Sequence, residues 1–227
     1  MPTHTEHMNR FDASDLYVVI TEAFCAGRSR LDVLDAVLEA GVTLIQFREK
    51  ELGDDELIGI GRKFRQKTDA FGALLIVNNR VDIALAIGAD GVHLGQSDMP
   101  VAVARRIAPE LILGASTHTL EQAREAENDG ASYYNIGPIY PTRTKELTMD
   151  VLGVNAISAI APHIQIPFTC MGGIKLHNLD DLLTRGARHP AVVTAVTAAE
   201  DVVQAAKDLR DQIGNVDLQS SPSGIQQ

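Results

Sequence analysis

Short runs rich in Val, Ile and Leu recur along the chain, separated by stretches of helical period. The runs fall at 16–20, 43–47, 73–78, 91–94, 112–116, 132–137, 166–171 and 191–195 and predict eight strands. Between them, apolar positions recur every three or four residues over 30–40, 54–70, 119–129 and 178–185, which predicts amphipathic helices. Gly41, Gly88, Gly130 and Gly186 stand where helices should stop, and Asp54 stands where one should begin with a side-chain cap. Three helix ends read alike: EAGVTLIQF, AIGADGVHL and NDGASYYNI each pass from helix through glycine into strand. Such alternation predicts a parallel sheet covered by helices. An open doubly wound sheet and a closed (β/α)8 barrel both satisfy it. Eight strands in 227 residues, near the barrel's usual length of about 250, favour a single-domain α/β TIM barrel.

The stretch IQFREK, residues 45–50, supports closure. Strand side chains alternate between faces, so Ile45 and Phe47 point one way and Gln46, Arg48 and Lys50 the other. A central strand of an open sheet would be apolar on both faces, whereas a barrel strand can carry polar groups at its inner, C-terminal end. The domain is expected over 14–213. Polar segments at 1–13 and 214–227 suggest flexible ends.

The remaining polar features are not scattered. Asn78 and Asn79 follow strand three, and Gln96 and Asp98 follow strand four. Ser116 and His118 close strand five, the loop GPIYPTRTK follows strand six, Gly172 and Gly173 end strand seven, and strand eight carries Thr194. In a barrel these ends converge on the face where active sites of this fold lie.

Charge sharpens the picture. Lys and Arg number 20 against 30 Asp and Glu, for a net charge of −10. That balance argues against nucleic-acid or anionic-membrane partners. Yet the strand ends gather Arg48, Lys50, Arg143 and Lys145, with Asp98 as the clearest carboxylate. A cationic cup on an acidic chain implies a small anionic ligand. Glycines after strand seven, with Thr194 after strand eight, suit a phosphate held by backbone N–H groups. Cys25 and Cys170, far apart, read as buried thiols. The polar N-terminus has no apolar core, and no run approaches the roughly 18 apolar residues of a membrane span, so a cytoplasmic protein is expected. A homo-oligomer remains open.

The motifs IQFREK, VNNR, VDIALAIGADGVHLGQSDMP, GASTHT, GPIYPTRTK and IPFTCMGGI, in this order over residues 16–203, resemble thiamine-phosphate synthases. The resemblance implies a transferase that joins a pyrimidine diphosphate to a thiazole phosphate, releasing pyrophosphate with magnesium present. It puts Gln46, Arg48, Lys50, Asn78, Ser116 and Lys145 on the pyrimidine diphosphate, with Arg48, Lys50 and Lys145 stabilising the leaving group. It puts Thr142, Arg143, Thr144, Gly173, Val193 and Thr194 on the thiazole phosphate. Asp98 and position 79 would hold magnesium, but where the family pattern has a carboxylate this chain has Asn79.

Plainer readings stand beside these. Arg48 and Lys50 would suit a surface ion-pair strip with Glu49 or Glu51, Ser116 a helix cap, Asp98 a cap before Pro100, and His93 an inward-pointing barrel residue. His118 suits a local hydrogen bond. The thiazole tautomerases are similar barrels that use a His in the equivalent stretch, but they tend to read GH where this chain has Gly137 and Pro138. A tautomerase and a non-catalytic phosphate-binding barrel are therefore the two rivals.

Overall fold

A computed structural model describes residues 2–142, 144 and 150–220, with side chains through residue 215. The elements are α1 (His4–Asp12), β1 (Tyr17–Ile20), α2 (Arg30–Glu39), β2 (Leu44–Phe47), α3 (Asp54–Ala70) and β3 (Leu74–Asn78). They continue with α4 (Val81–Ile87), β4 (Gly91–Leu94), α5 (Val101–Ile107), β5 (Ile112–Thr117), α6 (Leu120–Asn128) and β6 (Tyr133–Ile136). The last are α7 (Asn155–Ile160), β7 (Phe168–Met171), α8 (Asp180–Leu183), β8 (His189–Val192), α9 (Thr194–Thr197) and α10 (Val202–Ser220).

Each strand pairs in parallel with the next, and β8 pairs with β1, so the sheet is a closed eight-stranded barrel. Strand alternation divides the core in two. Val18, Ile45, Phe47, Leu75 and Val92 face outward and pack with the helices. Tyr17, Leu44, Leu74, Ile76, Ile112, Tyr133 and Ala191 face the barrel axis. Gln46, between outward Ile45 and Phe47, points inward and is 1 % exposed, as the pattern of IQFREK requires. Cys25 and Cys170 are free and buried.

Four local expectations are corrected. First, α3 is capped by Gly53 without a side-chain bond; Asp54 lies inside the first turn, where its charge suits the helix dipole and it pairs with Arg80 at 2.8 Å. Second, strand eight ends at Val192, because Val193 leaves the extended region (φ −118°, ψ −94°), and Thr194 opens α9 instead. Third, α10 runs to Ser220, past the expected end of the domain at 213; residues 221–227 lie outside the described set.

The fourth concerns residues 1–13, which are not a loose segment from residue 4 onward. Thr3 and Glu6 form a capping box at the start of α1. On one face of this helix, four residues apart, sit His7 and Phe11, both buried. Phe11 closes the bottom of the barrel, stacked on Tyr133 with ring centroids 4.8 Å apart and lying 4.7 Å from His189. Polar ties fasten the helix: His4 Nε2 and Ser132 Oγ are 2.8 Å apart, and His7 Nδ1 donates to Glu110 O at 2.9 Å. His7 and Arg10 reach Asp90 at 3.4 and 3.5 Å, and Arg65 holds the same carboxylate at 2.6 Å.

Phe11 is fully buried in this plug. Phe11→Ala should therefore lower the unfolding free energy by about 3–5 kcal/mol in urea titration; a loss below about 1 kcal/mol would mean that the plug closes nothing.

Candidate active site

The strand ends form one rim. Past Phe47, Arg48 stays attached to the barrel through its backbone N–H, which donates to Ile20 O at 3.0 Å. Its guanidinium Nη1 donates to Thr21 Oγ1 at 3.3 Å. Burial draws the Arg48 pKa down, with Glu49 opposing, yet a guanidinium remains charged. The surface-strip reading is not what the geometry gives. Glu49 accepts from the Glu22 backbone N–H at 2.8 Å and lies 3.3 Å from Arg30, and among the described residues neither Arg48 nor Lys50 forms an ion pair. Lys50 is exposed beyond the strand end.

Inside the barrel a chain of hydrogen bonds crosses from β2 to β5. Gln46 Nε2 donates to Tyr17 Oη at 2.6 Å, and Tyr17 Oη lies 3.1 Å from Tyr133 Oη. Tyr133 Oη is 2.9 Å from His93 Nδ1, and His93 Nε2 is 3.0 Å from Ser116 Oγ. With protons running in one direction, every link has a donor and an acceptor, and His93 is the Nε2-protonated tautomer. Burial raises both phenols above the usual tyrosine range, so they remain neutral hydroxyls. Gly114 leaves the space: a Cβ there would stand 2.4 Å from Tyr133 Oη and 2.5 Å from His93 Nδ1. His93 is thus inward-pointing, as expected, and it is also the link to Ser116.

Asn78 ends β3 beside His93 on β4. Asn79 follows in the left-handed region (φ 64°), its N–H donating to His93 O at 2.8 Å. Asp98 folds back at the end of β4, where its Oδ2 accepts from Gly95 N at 2.6 Å. Its Oδ1 accepts no hydrogen bond among the described residues. The two candidate metal ligands thus belong to adjacent strand ends. His118 makes the local bond expected of it, Nδ1–H donating to Gly137 O at 2.6 Å.

On the opposite side of the rim lies a cavity of about 620 Å³. Thr142, Thr144, Gly173, Val193 and Thr194, all expected at one site, line it together. Thr142 and Thr144 hydroxyls are 2.9 Å apart. Gly173 has φ 64°, and a Cβ there would meet Pro141 O at 2.5 Å, so the cradle needs glycine on two counts. Phe24, from the turn after β1, reaches the same cavity, and its carbonyl accepts from Thr197 Oγ1 at 2.7 Å. The loop carrying Thr21 and Phe24 therefore joins the Arg48 side of the rim to the cavity. Arg143 and Lys145 lie outside the described residues.

The thiamine monophosphate synthase family model matches residues 16–196. The chain belongs to this family. The thiamine-phosphate synthase of Chloroflexus aurantiacus is 45% identical over 195 residues, covering 86% of this chain and 90% of that one. The Moorella thermoacetica enzyme of the same name is 44% identical over 200 residues, covering 88% and 95%. In structure, the chain is similar to the thiamine phosphate pyrophosphorylase of Pyrococcus furiosus, with TM-score 0.83, 39% identity and coverage of 92% and 98%. As a member of the thiamine monophosphate synthase family the chain is an enzyme, a transferase acting on small molecules.

Sequence reasoning missed the inner chain and one cation, Lys175, in the cavity wall. Tyr17 and Tyr133 were legible only as strand residues; their phenol ends meet because both side chains point into the barrel from strands that are not neighbours. Lys175 sits on a loop, where no periodicity points to it.

Tyr133→Phe keeps the ring and removes the central hydroxyl, leaving Tyr17 and His93 without their shared partner. A stability loss of about 1–3 kcal/mol in chemical denaturation is expected; an unchanged value would show that the hydroxyl link contributes nothing.

Proposed function

We propose that the rim holds a pyrimidine diphosphate on the β2–β5 side and a thiazole phosphate in the cavity, and joins them with loss of pyrophosphate. The single observation that carries this reading is the convergence of Thr142, Thr144, Gly173, Val193 and Thr194 on one cavity. That cavity opens on the same rim as Gln46, Arg48 and Ser116. Support also comes from the relatives, whose names carry the same activity.

In this reading Gln46, fixed by Tyr17, orients the pyrimidine ring, and Ser116, fixed by His93, meets the diphosphate. Asn78, Arg48, Lys50 and Lys145 complete the anion's surroundings. The bond between the pyrimidine methylene and the diphosphate oxygen breaks, and its electron pair leaves with pyrophosphate. The amino-substituted ring shares the positive charge left on the methylene carbon. The thiazole nitrogen then supplies the electron pair for the new carbon–nitrogen bond. No side-chain nucleophile is required. The chain's own task is to hold two reactants in line and to stabilise charge on the departing group.

Magnesium prefers hard oxygen ligands and often takes only one or two from a protein. Asp98, whose Oδ1 accepts no hydrogen bond from the described residues, and Asn79, with an amide oxygen, fit that preference, although the set carries one negative charge instead of two. When bound, the ion would neutralise diphosphate charge. A cytoplasmic location belongs to the same reading; among the described residues no helix is long and apolar enough to cross a membrane.

Pyrophosphate release measured with both substrates tests the reading. Release that needs both substrates and magnesium is expected, whereas conversion of the thiazole phosphate alone, indifferent to magnesium, would make the chain a tautomerase. In the same assay Asn79→Asp should reach half-maximal rate at a lower magnesium concentration. An unshifted titration would remove position 79 from the metal site.

A further inference from the structure

The cavity wall contains one charged side chain among its described residues, Lys175, and no carboxylate. Its ammonium donates to Thr194 Oγ1 at 3.0 Å, and no salt bridge among the described residues includes it. Thr194 is itself a wall residue, so the bond holds the ammonium at the cavity wall.

The loop is built to hold it there. Asn178 accepts from the Lys175 backbone N–H at 2.8 Å through Oδ1 and donates to Gly173 O at 3.1 Å through Nδ2. The Asn178 backbone N–H donates to Lys175 O at 3.1 Å, and Tyr140 Oη donates to Asn178 O at 3.1 Å. One amide side chain thus spans the glycine cradle and the lysine, fixing the distance between them.

A partly buried ammonium with a hydroxyl as its described partner has lost hydration without gaining an opposite charge. Burial is the cause that lowers the Lys175 pKa. An anion entering between the Gly172–Gly173 backbone and Thr194 would restore that balance, with a charge-assisted hydrogen bond from Nζ.

Resting on the function proposed above, we infer that Lys175 is a ligand of the thiazole substrate's phosphate and sets the preference of this chain for a phosphorylated over an unphosphorylated thiazole. The backbone N–H groups and threonine hydroxyls give the phosphate shape and neutral donors. Lys175 gives it a full positive charge, which an alcohol in the same place would not use.

The test compares wild type, Lys175→Ala and Lys175→Arg with the thiazole phosphate and with its dephosphorylated alcohol, following pyrophosphate release and binding by calorimetry. Lys175→Ala is expected to weaken thiazole-phosphate binding and raise its KM by roughly 10- to 100-fold, the scale of one hydrogen bond to a charged group. The KM for the pyrimidine diphosphate should not move, the alcohol should be used as in wild type, and Lys175→Arg should recover most of the loss. A thiazole-phosphate KM within twofold of wild type would overturn the assignment, as would an equal rise for both substrates. Should wild type itself release no pyrophosphate, the proposed function would fall first, an outcome separate from an active wild type that ignores Lys175.

Discussion

Closing the sheet depends on the seam where Tyr17 pairs with Ala191 and Val18 with Val192. Once β8 hydrogen-bonds to β1, no edge is left exposed, and every strand must carry one row of side chains inward. The inward space is small, so those side chains must fill it and satisfy one another. The C-terminal ends of all eight strands also come to one rim. Each later feature of the molecule follows from these two consequences.

The interior divides along the barrel axis. Toward the bottom, Phe11, Leu44, Leu74 and Ile112 pack as apolar side chains. Above it, Gln46, Tyr17, Tyr133, His93 and Ser116 are polar but joined in sequence by hydrogen bonds. A buried polar group is tolerated when it has a partner, and a connected set is stiffer than its parts. Two residues proposed to meet substrate, Gln46 and Ser116, are thereby braced from below. The cavity across the rim is braced differently, by Asn178 holding a glycine loop. In the proposed function, the two modes of support would serve two kinds of ligand surface: fixed side chains for a ring and its leaving group, and a backbone cradle for a phosphate.

Much of this was legible in the sequence because the barrel imposes period two on strands and gathers their ends. The pattern around Gln46 told inward from outward, and β4 begins and ends at 91 and 94 as its apolar run indicates. Position after a strand drew attention to the loop GPIYPTRTK, Gly173 and Thr194, whereas the full cavity set, Val193 included, was named through the family resemblance. Other features were hidden for physical reasons. Residues 1–13 read as a flexible polar end because the value of Phe11 depends on a barrel floor far away in sequence. The phenol contact between Tyr17 and Tyr133 spans 116 positions. The end of β8 was set too late because Val193 continues the apolar run of Ala191 and Val192 after the backbone has turned. Lys175 sits in a loop and carries no periodic signal.

The central claim is that one rim brings a pyrimidine diphosphate and a thiazole phosphate together. A crystal structure with the thiazole phosphate and a non-reacting pyrimidine diphosphate analogue tests it directly. The phosphate is expected between Gly173 and Thr194, the diphosphate beside Arg48 and Ser116, and the thiazole nitrogen about 3–3.5 Å from the pyrimidine methylene. Ligands occupying separate faces, or a thiazole turned with its nitrogen away from that carbon, would contradict it.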